Sequence, residues 1–290
     1  MKSLTERQHQ AKKLLKDGDY KSIRDMLERL KNMYPDNRIL AELNKSNEIV
    51  YHTASEIEEE VMNLGDALVE MGLKGAHIAI VSENCYRYVI ADITISSGVG
   101  VVTPIDVNAP VPLLVTLLNK CDADAVLCGA AQLDRLREAQ KDCPRLKTFI
   151  TIDQKVEGLP FYEEILAKGK AMGKDGAYRN MELDVDAPAK ILFTSGTTGA
   201  NKGVVLTNAN LAANMLNCMD VIMASEENNT SMSILPMHHA TEINTHIMVR
   251  VGSGRLTYIN DNMRNMMKNI KIFKPGIVTI VPMIANAFYK

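Results

Sequence analysis

The chain has 290 residues, 46% hydrophobic and 23% charged, enough apolar material for one large domain or two ordinary ones and too much for a disordered chain. Lys and Arg number 33 against 35 Asp and Glu, a net charge of −2, so no general field draws the chain to nucleic acid, and an anionic ligand has to be held locally. Nowhere do about 18 uncharged apolar residues stand together, the amino terminus lacks the apolar run of a signal peptide, and the five cysteines show neither a disulfide framework nor zinc spacing. A reducing, cytoplasmic setting is the expectation, with peripheral membrane contact and oligomeric state left open.

In chain order, residues 1–50 read as a polar helical extension, with Leu14, Leu15, Ile23, Met26, Leu27 and Leu30 near helical spacing before the break at Tyr34-Pro35-Asp36. Thr53 and Glu56 form a capping-box pattern, and Ile57, Val61, Leu64, Leu68 and Met71 then mark one face of a helix that stops before Gly72. Glu56 and Glu58 to Glu60 read as the solvated face of that helix rather than an acid cluster. From residue 77 to 152, short β-branched runs alternate with helical stretches, the pattern of βαβ units around a largely parallel sheet. Leu159 to Pro188, with its Gly169-Lys-Ala-Met-Gly-Lys-Asp-Gly176 stretch, reads as a surface connection.

Alternation resumes after Asp186. Strands are expected at 190–193, 232–235, 256–259 and 277–281, and helices at 208–223, 242–251 and 262–273. The fold class is therefore α/β, with largely parallel sheets and flanking helices. Its divisions are expected at 1–50, 51–186 and 187–290. A last apolar helix starts at Met283 without a stop signal, and the chain is expected to be the amino-terminal piece of something longer.

The most informative stretch runs from Ile191 to Leu206. An apolar strand leads into Thr194-Ser-Gly-Thr-Thr-Gly-Ala-Asn-Lys202, in which Gly196 and Gly199 let backbone amides approach a ligand, Thr194, Ser195, Thr197 and Thr198 add hydroxyls, and Lys202 adds a cation. That donor set suits phosphate oxygens. It is not the Walker pattern, because Lys202 precedes Gly203 and a β-branched run rather than Ser or Thr and a helix. From the chemistry alone, an anion-binding loop and a polar hairpin turn both stay open.

The string Thr194 to Val204, with Asp186 before it and Val205-Leu-Thr207 after it, resembles the phosphate-loop signature of the adenylate-forming superfamily, which activates carboxylates as acyl-adenylates. Leu235-Pro-Met-His-His-Ala-Thr-Glu242 resembles its next motif and places His239 on the histidine beside the acyl site, while Glu242 resembles the long-chain acyl-CoA synthetase branch. His77 to Asn84, Gly100 to Asp106 and Val278 to Pro282 are similar to further segments, so the likeness runs from about residue 50 to the end. Two departures stand out: Asn201 where Pro is usual and Asn208 where His is common, the first of which frees a φ angle and restores an N–H.

The resemblance implies the amino-terminal part of an ATP-dependent carboxylate:CoA ligase with an acyl-CoA synthetase-like fold, acting on a long-chain fatty acid; the alternatives are an enzyme for aryl, short-chain or amino acids, or a half-length protein that binds nucleotide without catalysis. It implies that Thr194, Ser195, Gly196, Thr197, Thr198 and Gly199 cradle ATP phosphates, that Lys202 neutralises charge, that Thr198 meets Mg²⁺ through the nucleotide, and that His239 and Glu242 face the substrate. ATP, Mg²⁺ and CoA are the implied cofactors and co-substrate. The family's later Tyr-Gly-x-Thr-Glu and Thr-Gly-Asp motifs and its distal lysine do not occur in this chain, which resembles about the first half of such an enzyme.

Overall fold

The computed structural model describes residues 20–195, 201–224, 230–282 and 284–285. Helix α1, Ile23–Met33, is capped by the Ser22 hydroxyl, which accepts from the Asp25 amide, and buries Ile23, Met26, Leu27 and Leu30. The helical reading of residues 1–50 does not extend past it. Arg38–Leu43 (β1) and Ile49–Thr53 (β2) form an antiparallel pair around the Asn44–Glu48 turn. Ile39, Leu40 and Ala41 are all buried because β1 also pairs in parallel with Thr257–Ile259 (β10), Leu40 opposite Thr257.

Helix α2, Ala54–Leu68, carries the full capping box expected of Thr53 and Glu56. Its stripe of Ile57, Val61, Leu64 and Leu68 is fully buried, each side chain worth about 1.5–3 kcal/mol of transfer free energy. Met71, next in the stripe, is exposed, because the helix widens into a π-type turn over Val69–Leu73 that shifts the register. The acidic face is less solvated than expected. Glu58 pairs with Lys31 at 2.6 Å, and Glu60 accepts hydrogen bonds from the Tyr86 and Tyr162 hydroxyls at 3.0 and 2.8 Å.

The expected alternation follows: Ala76–Val81 (β3), Tyr86–Thr94 (α3), Gly100–Pro104 (β4), Val111–Lys120 (α4), Ala125–Cys128 (β5), Leu133–Gln140 (α5) and Thr148–Thr151 (β6). The connection after Leu159 contains a helix, α6 at Tyr162–Met172, that the composition conceals. It lies against α2 so closely that a Cβ on Gly169 would come within 1.7 Å of the Asn63 carbonyl oxygen. Downstream, the Arg179 guanidinium meets the fully buried Asp66 carboxylate of α2 at 2.5 Å.

Pro188–Ser195 (β7) and Asn201–Thr207 (β8) complete a six-stranded sheet of order β6-β5-β3-β4-β7-β8, parallel except for the β7–β8 hairpin. The division expected near Asp186 therefore falls inside a sheet, since Val102 of β4 pairs with Lys190 of β7. A five-stranded sheet, ordered β11-β9-β10-β1-β2, takes Ser231–Ser233 (β9), β10 and Ile277–Val278 (β11) together with β1 and β2. Helix α7, Asn208–Ala224, follows β8; a π-type turn over Thr241–Ile247 leads into α8, Met248–Gly252; and α9 spans Met266–Phe273. One apolar core joins the inner helices to both sheets through residues such as Ile57, Ile80, Ile93, Ile247 and Ile259. The expected helix from Met283 onward lies largely outside the described residues. All five cysteines are free thiols, and among the described residues no helix is long and apolar enough to cross a membrane.

Candidate functional site

Parallel strands bring their carboxyl ends to one side of a sheet, where connecting loops gather polar groups that no regular pairing consumes. Here strand ends from both sheets meet around a cleft of about 420 Å³. Ser82, Glu83 and Asn84 follow β3, Asp106 to Asn108 follow β4, Ile234, Pro236 and His238 follow β9, and Asp261 to Arg264 follow β10. The loop after β4 is held from behind by Arg135, which donates to the carbonyls of Ala109 at 2.8 Å and Val107 at 2.5 Å.

Asn84 joins the two sets of strand ends. Its Nδ2 donates to the Leu235 carbonyl at 2.8 Å, and its Oδ1 accepts from the Met237 amide at 3.0 Å. Pro236 between them has no N–H, so one carboxamide satisfies the backbone on either side of it. His238 and His239 follow at once, with ring centroids 4.1 Å apart. His238 turns into the cleft, where burial above all, with the neighbouring His239, lowers its pKa to about 4 against the opposing Asp106 carboxylate. It is a neutral imidazole at neutral pH. Burial, reinforced by the Asp106 and Asp261 carboxylates, raises the Glu83 pKa.

His239 is exposed, and its carbonyl accepts from the amides of Glu242 and Ile243, so it opens the helical turn that follows. Glu242 is fully buried. Its Oε1 meets His246 Nδ1 at 3.0 Å, His246 Nε2 lies 3.1 Å from Ser231 Oγ, and that hydroxyl lies 3.0 Å from Thr257 Oγ1. The chain of polar contacts ties that turn to β9 and β10.

The residues expected to hold phosphate are flanked by the two strands of the β7–β8 hairpin. Its register closes at Ser195 opposite Asn201, and Thr194 and Lys202 face each other as exposed cross-strand partners. Gly196, Thr197, Thr198 and Gly199, and the side chain of Ser195, lie outside the described residues. Asn201, at the departure from Pro, accepts from Lys120 Nζ through its carbonyl at 2.8 Å. Asn208, at the departure from His, is buried and donates to the Ser96 carbonyl at 2.6 Å. The start of α7 is fixed by reciprocal bonds between Thr207 and Asn210, both 3.1 Å. Sequence reasoning missed Asn84, His238, Asp106 and Asp261 as cleft residues; the available signal was their shared position just beyond apolar strand runs.

A chain of this α/β architecture is matched by a family model over nearly its whole length. The AMP-binding enzyme family covers residues 27–290, and the chain belongs to it. Long-chain-fatty-acid–CoA ligase 5 of Rattus norvegicus is 24% identical over 256 residues, which is 81% of this chain and 37% of the relative. Long chain acyl-CoA synthetase 8 of Arabidopsis thaliana is 25% identical over 270 residues, 82% of this chain and 36% of the relative. This chain thus spans well under half the length of these curated relatives. Among solved structures, the A domain of a carboxylic acid reductase from Segniliparus rugosus, in complex with AMP and a co-purified carboxylic acid, superposes with a TM-score of 0.81 at 16% identity, covering 99% of this chain and 55% of that one.

Proposed function

We propose that the protein takes part in ATP-dependent activation of a carboxylate, a long-chain fatty acid in the first instance, as an acyl-adenylate that is then transferred to CoA. The single observation that carries this reading is the hairpin that sets Thr194 opposite Lys202 at the mouth of a Thr/Ser/Gly loop, within a chain of the AMP-binding enzyme family. The similarity to the rat and Arabidopsis proteins supports the fatty acid and CoA.

In the first step a carboxylate oxygen attacks the α-phosphorus of ATP and pyrophosphate leaves with the bonding electrons. The main demand is stabilisation of charge on the departing phosphates. Amides and hydroxyls of residues 194–199 hold the β- and γ-phosphates, and Lys202 neutralises charge. Mg²⁺ would be held through the nucleotide and the Thr198 hydroxyl, and would supply further charge neutralisation. His239, exposed at the strand end, orients the carboxylate. In the second step the CoA thiolate attacks the acyl carbon, and AMP leaves.

The test is ATP–pyrophosphate exchange with the product of the complete native reading frame, supplied in turn with palmitate, benzoate, acetate and amino acids. Palmitate-dependent exchange that drops at least about tenfold in Lys202→Ala and in Thr198→Ala is the expected result. Exchange untouched by both substitutions would sink the residue assignment. Exchange with benzoate or acetate alone would reassign the acid, and ATP binding with no acid-dependent exchange would make the protein a nucleotide-binding one.

A further inference from the structure

Lys190 lies four residues before Thr194 on β7 and is fully buried. Its ammonium donates to Asp92 Oδ2 on α3 at 2.6 Å and to Asn244 Oδ1 at 2.8 Å. Asp92 is equally buried. Asn244 belongs to the π-type turn that His239 opens, and its neighbour Ile243 donates its amide to the His239 carbonyl at 3.2 Å. One side chain therefore touches the strand that enters the phosphate loop, a helix that packs between the sheets, and the turn that follows His239.

Stability alone gives a weak account of this arrangement. Removing two charges from water is expensive, and a buried pair is often replaceable by packed apolar residues with no loss. Ala189 and Leu192 beside it are buried apolar residues, so the strand already has a place in the core. What an ionic contact supplies and an apolar one does not is a defined distance and register between the elements it joins. Lys190 also stands at the register pair that joins β7 to β4, opposite Val102.

We propose that Lys190 is a positioning residue that sets the spacing between the end of β7, at Thr194, and the His239 segment after β9. This rests on the functional reading above. ATP held by the loop and the carboxylate held beside His239 then approach in line, and an error of about 1 Å between the two elements is enough to slow the reaction by about a hundredfold. Asp92 supplies the counter-charge that makes the buried ammonium tolerable, and Asn244 transmits its position to the turn.

The decisive variant is Asn244→Leu, which removes the link while leaving the Lys190–Asp92 pair intact. In pyrophosphate exchange, kcat per folded enzyme is expected to fall at least about tenfold with KM for ATP changed by less than about twofold, because the loop itself is untouched. Asn244→Asp, which keeps an acceptor for Lys190, should recover most of kcat. Asn244→Ser, polar but too short to reach, replaces Asn244→Leu should that variant not fold. An unaltered kcat in the variant that folds overturns the proposal. Amide hydrogen exchange supplies an independent readout should the parent protein show no carboxylate-dependent exchange and the functional reading fail. Faster exchange across residues 188–195 in the Asn244 variant supports the tie, and unchanged exchange there overturns it.

Discussion

The Asn84 carboxamide donates to the Leu235 carbonyl at 2.8 Å, tying the end of β3 in one sheet to the end of β9 in the other. The same group accepts the Met237 amide, so removing it leaves a part-buried donor and acceptor without their partner. Asn84→Asp keeps the acceptor and loses the donor, and it should destabilise by about 1–2 kcal/mol; Asn84→Leu loses both and should lose about 2–4 kcal/mol. Urea unfolding followed by circular dichroism measures the difference. Equal midpoints for parent and Asn84→Leu would show that the bridge adds nothing.

His52 stacks on Tyr86 with ring centroids 3.5 Å apart and planes 7° from parallel, and its Nε2 is buried without a hydrogen-bond partner. Burial lowers its pKa from 6.5 to about 4, with the Arg87 cation adding to the effect and the Glu56 carboxylate opposing it. The unfolded chain binds the proton more readily, so this group's contribution is present above pH 6.5 and is lost as the pH falls towards about 4. His52→Phe keeps the stack and removes the proton site. Its stability should decline less steeply than the parent's across that window, and parallel curves of urea midpoint against pH would refute the assignment.

Glu60 shifts the other way. Burial raises its pKa, the hydroxyls of Tyr162 and Tyr86 and the Arg87 guanidinium pull it down, and the Glu163 carboxylate pushes it up. The folded state holds this proton more tightly than the unfolded one, so its contribution is complete below the ordinary glutamate range and falls as the pH rises through the raised value. Glu60→Gln still offers an acceptor to the tyrosines but cannot ionise. The Tm of the variant relative to the parent should therefore climb as the pH rises above the ordinary glutamate range. A constant or declining difference would count against it.

Gly169 is where α6 meets α2. A methyl group there would overlap the Asn63 carbonyl, which is backbone and cannot swing aside. Gly169→Ala should cost about 3 kcal/mol despite its gain in helix propensity, whereas Gly158→Ala, with open space but a φ of +78°, should cost about 1–2 kcal/mol from backbone strain alone. Thermal unfolding of the two variants side by side gives the comparison, and a Gly169→Ala protein as stable as the parent would mean the helices part readily.

Where local chemistry decides, the sequence was a sufficient guide. The cap at Thr53 and the strand runs from His77 to Thr151 are legible because each depends on neighbours within a few residues. Contacts between distant segments were hidden. Ile39-Leu40-Ala41 is too short a run to announce a strand, and its partner Thr257–Ile259 is only three residues long. Helix α6 was obscured because Gly169 and Lys170 look like loop residues until the Asn63 carbonyl beside them is seen. At the site, the spacing of His239 and Glu242 does not reveal that the first is exposed and the second buried against His246. The bridging role of Asn84 needs the two sheets in place before it can be read.

The pairing of Leu40 with Thr257 also sets a schedule for synthesis. Strand β1 leaves the ribosome some two hundred residues ahead of the strand that completes its pairing, a delay of about 10–40 s at ordinary elongation rates. During that interval the buried triplet Ile39-Leu40-Ala41 has β2 on one edge and nothing on the other, which is the form of exposed strand that recruits a second nascent chain. The polar turn Asn44–Glu48 and the charged ends Arg38 and Glu42 are the local features that discourage such recruitment. The five-stranded sheet is thus the last part of this chain to close, and a chaperone that shields residues 38–43 would act on it before β10 brings Asp261 to Arg264 to complete the cleft.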